Sequence, residues 1–430
     1  MYDHQTVEKK WQKKWLDEKI KNSDFSTIIR LYLYIGTALG EENGEEYMKL
    51  CFKEIQLRIT KESLSGNIQY HDNYKIQKNK VQVNLPLRVN LGGGWSDTPP
   101  YCNENGGTVI NMAVLLNGEM PVEVIIQKID NLKIIVESID IKAYKEFDNI
   151  TDLQNVGDPK DNFGISKTAL IILGIIPQNG GNLIEILKRL GSGFKITTNV
   201  KDVPTGNGLG TSSILSAAVV KCLYEFLGIE FNDNDVYQSV LLMEQLMNTG
   251  GGWQDQVGGA TNGVKLITSE KGLCQKLNVE HLNVDLKKFN ERFCLIYSGE
   301  ARLAQNILRQ VLGRYLGNAP EMLQVLNEIK VVAVKMKECL VKGDFDEFAK
   351  LYDSHYGLSL KIYAGSQNEN IKNIFEILNG LIDSRMVCGA GGGGFIAVML
   401  KKGVTREDLR KKLRILSPDG KFDVWDSTIV

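Results

Sequence analysis

The chain has 430 residues, with 51 Lys and Arg against 52 Asp and Glu, which gives a formal net charge of −1 at pH 7. This balance excludes a global basic field of the kind that attracts nucleic acid or acidic lipid, so no nucleic-acid or membrane partner is expected. The length exceeds what one hydrophobic core usually supports, which predicts at least two domains.

The first predicted element is a charged, helically periodic segment from residue 5 to about residue 64. It carries Trp11 and Trp15 four residues apart, and a more apolar stretch at 31–35. This spacing is typical of amphipathic helices, whose apolar side chains pack on a neighbouring surface. We therefore expect residues 1–78 to form an N-terminal helical segment or linker domain.

Extended segments begin near residue 80 with KVQVNLPLRVNL. The runs VEVIIQKI and LKIIVES are joined through Asp130 and Asn131 and are predicted to form a hairpin. After FKITTNV come a glycine-rich turn and a helix, ILSAAVVKCLYEFL. A second predicted helix, DNDVYQSVLLMEQLMN, ends before the glycines at 250–252.

The C-terminal part alternates the strand-like runs RFCLIYS and GFIAVML with amphipathic helices near 302–316, 320–342 and 346–363. Strands and helices are thus mixed along the whole chain, which predicts an α+β fold. We place the two domains at residues 79–275 and 276–430.

The cysteines and the apolar runs indicate the compartment. Seven cysteines are an odd number and include no CxxC pair, which disfavours a disulfide framework and a zinc site. No apolar run reaches the roughly 18 residues that a membrane span needs, and the first residues lack the apolar core of a signal peptide. A cytoplasmic protein is expected.

Residues 204–213, PTGNGLGTSS, directly precede a predicted helix. Glycines let backbone N–H groups approach a ligand, and a helix N-terminus adds a partial positive charge, so the two together favour an anion site. The loop lacks the Lys-Ser or Lys-Thr ending of a Walker A loop and the GxGxxG spacing of a dinucleotide fold. Taken alone, it is equally well explained as a tight turn.

Three further stretches carry chemistry, although each alone could be an ordinary turn or strand. They are LPLRVNLGGGWSDTPPY at 85–101, NTGGGWQDQVGG at 248–259 and CGAGGGGF at 388–395. With PTGNGLGTSS they resemble, in the same order, the motifs of the GHMP kinases, the superfamily of galactokinase, homoserine kinase, mevalonate kinase and phosphomevalonate kinase. The resemblance implies an N-terminal domain like domain 2 of ribosomal protein S5, a ferredoxin-like C-terminal domain, and ATP and Mg²⁺ as cofactors.

The resemblance also assigns roles to residues. Arg88 matches the active-site arginine, Asp255 matches the catalytic carboxylate of the GIMDQ-type loop, and Glu244 with Ser212 matches the metal ligands, Thr211 being the alternative hydroxyl. The implied ATP-binding residues are Pro204, Gly206, Asn207, Gly208, Leu209, Gly210, Thr211, Ser212 and Ser213. The implied substrate-binding residues are Trp95, Asp97, Thr98, Gly252, Trp253, Gly391 and Gly392.

Within the family, GGWSDTPP at 93–100 resembles the L-fucokinases. This implies phosphorylation of L-fucose by ATP at the anomeric hydroxyl, for salvage to GDP-fucose. The alternatives are a heptose 7-phosphate kinase and a non-catalytic sugar and ATP sensor. A native fusion to a guanylyltransferase and a homo-oligomer both stay open.

His355 and Lys361 lie in a predicted helix, SHYGLSLK. A polar helix face explains them better than a place in the site, although the second interpretation stays open.

Overall fold

The computed structural model describes residues 18–19, 23–63, 68–158, 160–300, 304–418 and 420–430. Within these residues no helix has the length and apolar character needed to cross a bilayer. The strands are β1 (Lys80–Leu85), β2 (Leu87–Gly92), β3 (Thr108–Leu116), β4 (Val122–Ile129), β5 (Ile134–Ser138), β6 (Ala143–Phe147), β7 (Gly193–Val200), β8 (Val264–Ser269), β9 (Leu277–Leu282), β10 (Phe293–Tyr297), β11 (Ile382–Val387), β12 (Phe395–Leu400), β13 (Asp423–Trp425) and β14 (Ser427–Ile429).

The helices of the described residues alternate with these strands. They are α1 (Phe25–Ser63), α2 (Tyr101–Asn105), α3 (Ile150–Gln154), α4 (Gly164–Ile172), α5 (Leu183–Leu190), α6 (Thr211–Leu227), α7 (Asp233–Leu246), α8 (Gln254–Ala260), α9 (Leu286–Arg292), α10 (Ala304–Leu316), α11 (Pro320–Lys342), α12 (Phe345–Ile362), α13 (Glu369–Leu378) and α14 (Arg406–Leu416), with a 3₁₀ turn at Ala364–Ser366. A mixed α+β architecture was predicted and is confirmed.

The N-terminal helix α1 is broken at Gly40, whose φ of 75° is non-helical. The two halves fold back on each other, because the Cys51 thiol in the second half contacts the Ile29 carbonyl in the first. The helical prediction is thus confirmed for residues 25–63, whereas Trp11 and Trp15 lie outside the described residues. The apolar side chains of α1 that are buried are Ile28, Ile29, Leu33, Cys51, Ile55 and Ile59.

The first sheet has five strands in the order β1, β4, β7, β5, β6. Helix α6 packs on β1 and β4. The predicted hairpin between β4 and β5 is wrong, because β7 lies between them, antiparallel to β4 and parallel to β5. Gly193 at the start of β7 permits this insertion, since a Cβ there would lie 2.0 Å from the Asn131 carbonyl oxygen in the β4–β5 link.

The second sheet has the order β14, β3, β8, β9, with β2 paired to the edge of β3. The third is antiparallel, in the order β11, β12, β10, β13. The hairpin of β8 and β9 spans the predicted boundary at residue 275, and the C-terminal strand β14 returns to β3. The two predicted domains therefore share a sheet, and one continuous apolar core lies beneath them.

Candidate active site

The glycine loop ends at the N-terminus of α6, where Gly210 is the N-cap in the left-handed region, with φ of 79°, and provides no side-chain cap. The first N–H groups of a helix have no partner within the helix. Gly206 and Gly208 also have positive φ, 68° and 81°. The loop thus presents backbone donors and the positive end of a helix, which is the arrangement that binds phosphate.

Asn207 fixes the shape of this loop. Its side chain is buried; its Oδ1 accepts from the Leu209 N–H at 2.7 Å, and its Nδ2 donates to the Pro204 carbonyl at 2.9 Å and to the Thr211 hydroxyl at 2.6 Å. Leu209 anchors the loop in the core, because its side chain is fully buried. The loop is therefore held in shape before any ligand binds.

A second glycine loop, residues 388–394, lies against the first. A Cβ at Gly208 would lie 2.6 Å from the Cys388 carbonyl oxygen, and one at Gly394 would lie 2.4 Å from the Asn207 carbonyl oxygen. The Phe395 N–H donates to the same Asn207 carbonyl at 2.8 Å. Side chains at 208 and 394 would push the two loops apart, so the close backbone contact requires glycine at both positions.

The second loop meets the first through Gly389 and Gly394, whereas Gly391 and Gly392 contact Ser366. A Cβ at Gly391 would lie 2.1 Å from that of Ser366, and the Gly392 N–H donates to the Ser366 carbonyl at 2.6 Å. The Gly392 donor is thus already used within the protein. The contact of Gly391 and Gly392 with substrate stays a prediction.

Arg88 and Asp255 form an ion pair where the two loops meet. The Arg88 Nε and Nη2 donate to Asp255 Oδ1 at 2.8 and 2.6 Å, and Nη1 donates to the Gly208 carbonyl at 2.9 Å. The Arg88 side chain is 4% exposed and that of Asp255 is 26% exposed. Because both bonds end on Oδ1, Oδ2 of Asp255 has no protein partner among the described residues and can accept from a hydroxyl.

Asp255 lies in the first turn of α8, and this short helix is held closely against β2. A Cβ at Gly258 would lie 2.7 Å from the Cβ of Arg88. Asn111 of β3 donates to the Gln254 carbonyl at 2.9 Å. At the other end of α8 the fully buried Lys265 donates to the Gly258 carbonyl at 3.1 Å. Contacts at both ends thus fix the Asp255 carboxylate relative to Arg88.

Asp97 lies near Asp255 and is 1% exposed. Its two oxygens accept from the Gln254 N–H at 3.2 Å and the Gln254 Nε2 at 2.8 Å. Burial, and then the charge of Asp255, raise the pKa of Asp97 to about 6. Gly252 has to be glycine, because a Cβ there would lie 2.0 Å from Asp97 Oδ2.

Glu244 lies towards the glycine loop and is also buried, 3% exposed. Ser213 donates to its Oε1 at 2.7 Å, and Thr249 donates to its Oε2. Burial raises the pKa of Glu244, the two hydroxyl donors oppose that rise, and the charge of Asp255 adds to it. Asp255 therefore lies within electrostatic reach of Asp97 on one side and Glu244 on the other.

The hydroxyl that meets Glu244 belongs to Ser213, whereas Ser212 is exposed. Successive residues of a helix point about 100° apart, so only one of the two can face α7. Ser213 is therefore the hydroxyl in direct contact with Glu244, whereas Ser212 as a metal ligand stays a prediction. A carboxylate and a hydroxyl suit Mg²⁺, which prefers oxygen ligands and takes only one or two carboxylates when phosphates supply the others. Among the described residues no three His, Cys, Asp or Glu side chains form a cluster that could hold a metal ion alone.

The two tryptophans predicted to face the sugar differ. Trp95 is half-buried and has a positive φ of 77°, whereas Trp253 is 0% exposed. A Cβ at Gly107 would lie 2.5 Å from the Trp253 ring, so this indole fills the core behind the loop. Trp253 is thus closed to solvent, as Asp97 is, and its contact with a sugar stays a prediction. Thr98 is buried, and its N–H donates to the Trp95 carbonyl at 3.2 Å.

The sequence favours a polar helix face for His355, but in the structure this residue is 2% exposed and accepts from the Gly93 N–H at 2.8 Å. Burial lowers its pKa to about 4, so it is neutral and can accept. His355 thus holds the beginning of the loop that contains Asp97. Lys361 is exposed, as predicted for a polar helix face.

The model of the GHMP kinases N terminal domain matches residues 181–263, and that of the GHMP kinases C terminal matches residues 336–418. The chain belongs to the GHMP kinase family. The family resemblance and the family fold are thereby confirmed, and a GHMP kinase is an ATP-dependent phosphotransferase.

Curated relatives of this GHMP kinase include two bifunctional proteins. One is L-fucokinase/L-fucose-1-P guanylyltransferase of Bacteroides fragilis, 34% identical over 80% of this chain and 37% of the relative. The other is bifunctional fucokinase/GDP-fucose pyrophosphorylase of Arabidopsis thaliana, 31% identical over 93% of this chain and 37% of the relative. The chain thus spans 37% of the length of these relatives.

A third relative is D-glycero-alpha-D-manno-heptose 7-phosphate kinase of Campylobacter jejuni, 26% identical over 74% of this chain and 88% of the relative. Among solved structures, a mevalonate kinase superposes with a TM-score of 0.58 at 18% identity, covering 81% of this chain and 99% of that one. At this identity the structural likeness shows the fold alone.

Proposed function

We propose that this GHMP kinase phosphorylates the anomeric hydroxyl of L-fucose with ATP, giving fucose 1-phosphate. The observation that carries the proposal is the Arg88–Asp255 pair, at 2.6 Å, between the phosphate-binding glycine loops and the buried Asp97. Two relatives whose names include fucokinase, at 34% and 31% identity, support the choice of sugar.

Each group in the site has a role in this reaction. Asp255 orients the acceptor hydroxyl and accepts its proton through the free Oδ2, a role typically worth ~10²–10⁴-fold in rate. Arg88 holds Asp255 in place and offsets negative charge that develops near Gly208. Asp97 accepts from sugar hydroxyls, since each of its oxygens takes one bond from Gln254 and has capacity for another.

Glu244 and Ser213 would hold Mg²⁺, and the backbone donors of residues 206–213 would hold the phosphates. Mg²⁺ supplies charge neutralisation of the triphosphate when it is bound. The place of Glu244 next to the uncapped start of α6 supports this assignment, since the carboxylate then lies on the phosphate side of Asp255.

A heptose 7-phosphate kinase is the second candidate, favoured by the Campylobacter relative. A phosphorylated acceptor requires Arg or Lys partners, yet Arg88 is the one basic residue in residues 85–101, no basic residue lies in 248–259, and Arg88 is already paired with Asp255. A non-catalytic sensor is disfavoured because both members of that pair are present and in contact.

Initial rates on L-fucose, L-galactose and heptose 7-phosphate at equal concentration test the choice of sugar through ADP release. We expect the order L-fucose, then L-galactose, then no turnover of the phosphorylated heptose. We propose that the half-buried Trp95 faces the methyl group of L-fucose, where L-galactose carries a hydroxymethyl group. An apolar surface rejects an added hydroxyl by only about 10²-fold, so slow turnover of L-galactose is part of the expectation. A higher rate on heptose 7-phosphate would overturn the fucokinase assignment.

A further inference from the structure

The carboxylate of Glu104 joins the N-terminal helix to the loop that contains Asp97. Arg30 of α1 donates from Nη1 to Oε1 at 2.6 Å and from Nη2 to Oε2 at 2.8 Å, a two-point ionic contact. Ser26 of α1 donates to the same carboxylate. The side chains of Arg30 and Glu104 are 26% and 16% exposed, so the pair is partly shielded from water.

The C-terminal part of the chain reaches the same carboxylate. The Tyr315 hydroxyl at the end of α10 donates to Glu104 Oε2 and accepts from Asn105 Nδ2 at 2.9 Å. Burial alone would raise the pKa of Glu104, but the hydrogen bonds from Arg30, Ser26 and Tyr315 outweigh burial and lower it. Glu104 is therefore an ionised centre shared by three segments that are distant in sequence.

Glu104 lies in α2, which follows the loop of residues 93–100 directly. The Cys102 N–H donates to the Thr98 carbonyl at 3.2 Å, and the Glu104 N–H donates to the Pro100 carbonyl at 3.1 Å. Any displacement of α2 thus moves the backbone that carries Thr98 and, one residue earlier, Asp97. His355 holds the opposite end of this loop at Gly93.

Helix α11 fixes α2 from a second direction. The Tyr101 hydroxyl donates to Asn327 Oδ1 at 2.7 Å, and Lys330 donates to the Asn105 carbonyl at 2.9 Å. Helix α2 has only five residues, too short to be stable through its own hydrogen bonds. Its position therefore depends on these outside contacts.

We propose that Arg30 and Tyr315 are positioning residues for the sugar acceptor, which act through Glu104 on the loop of residues 93–100. The proposal rests on the sugar kinase function proposed above. It makes α1, which lies outside both ranges matched by the family models, a working part of the acceptor site.

The test is Arg30→Met, with Arg58→Met as the matched control, because Arg58 lies on the same helix in an exposed pair with Glu54 at 2.6 Å. We expect Arg30→Met to raise the KM for L-fucose about tenfold and to leave the KM for ATP within twofold. Arg30→Lys, which keeps the charge but not the two-point contact, should restore part of the loss. Tyr315→Phe removes only one hydroxyl and should leave the fold intact. It should also raise the KM for L-fucose.

Hydrogen exchange of residues 93–106 in the same variants separates this proposal from the proposed function. Faster exchange confined to that segment in Arg30→Met, and absent in Arg58→Met, supports the proposal even if the parent protein phosphorylates none of the sugars. If the parent protein phosphorylates none of the sugars, the proposed function is refuted. An unchanged KM for the sugar with unchanged exchange, or an equal rise in both KM values with a lower Tm, would overturn the positioning role.

Discussion

Asp97 is a buried carboxylate whose charge destabilises the ligand-free protein, so Asp97→Asn should raise stability while it removes function. The pKa of Asp97 is raised from 3.8 to about 6 by burial and by Asp255. A rise of this size corresponds to about 3 kcal/mol of unfavourable free energy for the ionised form. Asparagine removes the charge, but it also loses one of the two hydrogen bonds from Gln254, worth about 1 kcal/mol. The net expectation is a gain of about 1–2 kcal/mol.

The stability gained by Asp97→Asn should increase as pH rises. A carboxyl with a raised folded-state pKa binds more protons in the folded than in the unfolded protein between pH 3.8 and about 6. The destabilisation by Asp97 is therefore absent below pH 3.8 and complete above pH 6. Because the unfolding entropy of a 430-residue chain is about 0.9 kcal/mol/K, Asp97→Asn should raise Tm by roughly 1–2 °C at pH 8. At pH 4, where only the lost hydrogen bond is left, it should lower Tm by roughly 1 °C.

Differential scanning fluorimetry from pH 4 to pH 8, paired with calorimetric titration of L-fucose, measures both effects. The exposed Asp148→Asn is the control for a general effect of charge. A variant of Asp97 that loses the same stability at pH 4 and at pH 8 would refute the reasoning, because its charge would then be of no consequence to folding.

Three other substitutions test separate parts of the site. Asp255→Asn should lower kcat by at least ~10²-fold, since the proton acceptor is lost, while calorimetry shows ATP and sugar binding within a few-fold of the parent. The buried His355 has a pKa of about 4, so between pH 6.5 and pH 4 the folded protein binds fewer protons than the unfolded one. The parent therefore loses up to about 3 kcal/mol of stability as pH falls through that range. His355→Gln should remove this loss and flatten the plot of stability against pH. Gly208→Ala should raise the KM for ATP at least tenfold, because a Cβ at φ 81° would lie 2.6 Å from the Cys388 carbonyl oxygen and strain of this kind costs about 1–3 kcal/mol.

Matched controls are available for each of these. Asp148→Asn should leave kcat unchanged, His281→Gln alters an exposed histidine, and Gly313→Ala places a Cβ in open space. Near-normal turnover by the Asp255 variant would remove it as the base. An unchanged pH profile without His355, or normal ATP kinetics with alanine at 208, would contradict the contacts assigned to those residues.

The motifs of the site could be predicted from the sequence more completely than the packing of the elements that carry them. Gly206–Gly210 and the helix after them could be predicted because positive φ and an uncapped helix start are local properties. The order of β4, β7 and β5 could not, since strand pairing depends on segments about 60 residues apart. The choice between Ser212 and Ser213 depends on the rotation of α6 against α7, which the spacing of the motif does not define.

Burial explains the other differences. The sequence shows Trp253 beside Asp255 but not that its indole fills the space behind Gly107. For His355 the sequence favours a polar helix face over a place in the site, because the sequence does not show which partner a helical histidine will contact. The glycine run at 388–395 is visible in the sequence, but which of its glycines contact the first loop, Gly389 and Gly394, depends on the position of Ser366.

The most direct test of the central claim is to identify the product. The protein is incubated with ATP, Mg²⁺ and L-fucose, and ³¹P and ¹H NMR spectra show which sugar hydroxyl carries the new phosphate. We predict fucose 1-phosphate, with the phosphate coupled to the anomeric proton, from the parent protein and none from Asp255→Asn. Phosphate on another hydroxyl, or equal product from the Asp255 variant, would contradict the account of Asp255 as the group that accepts the proton of the anomeric hydroxyl.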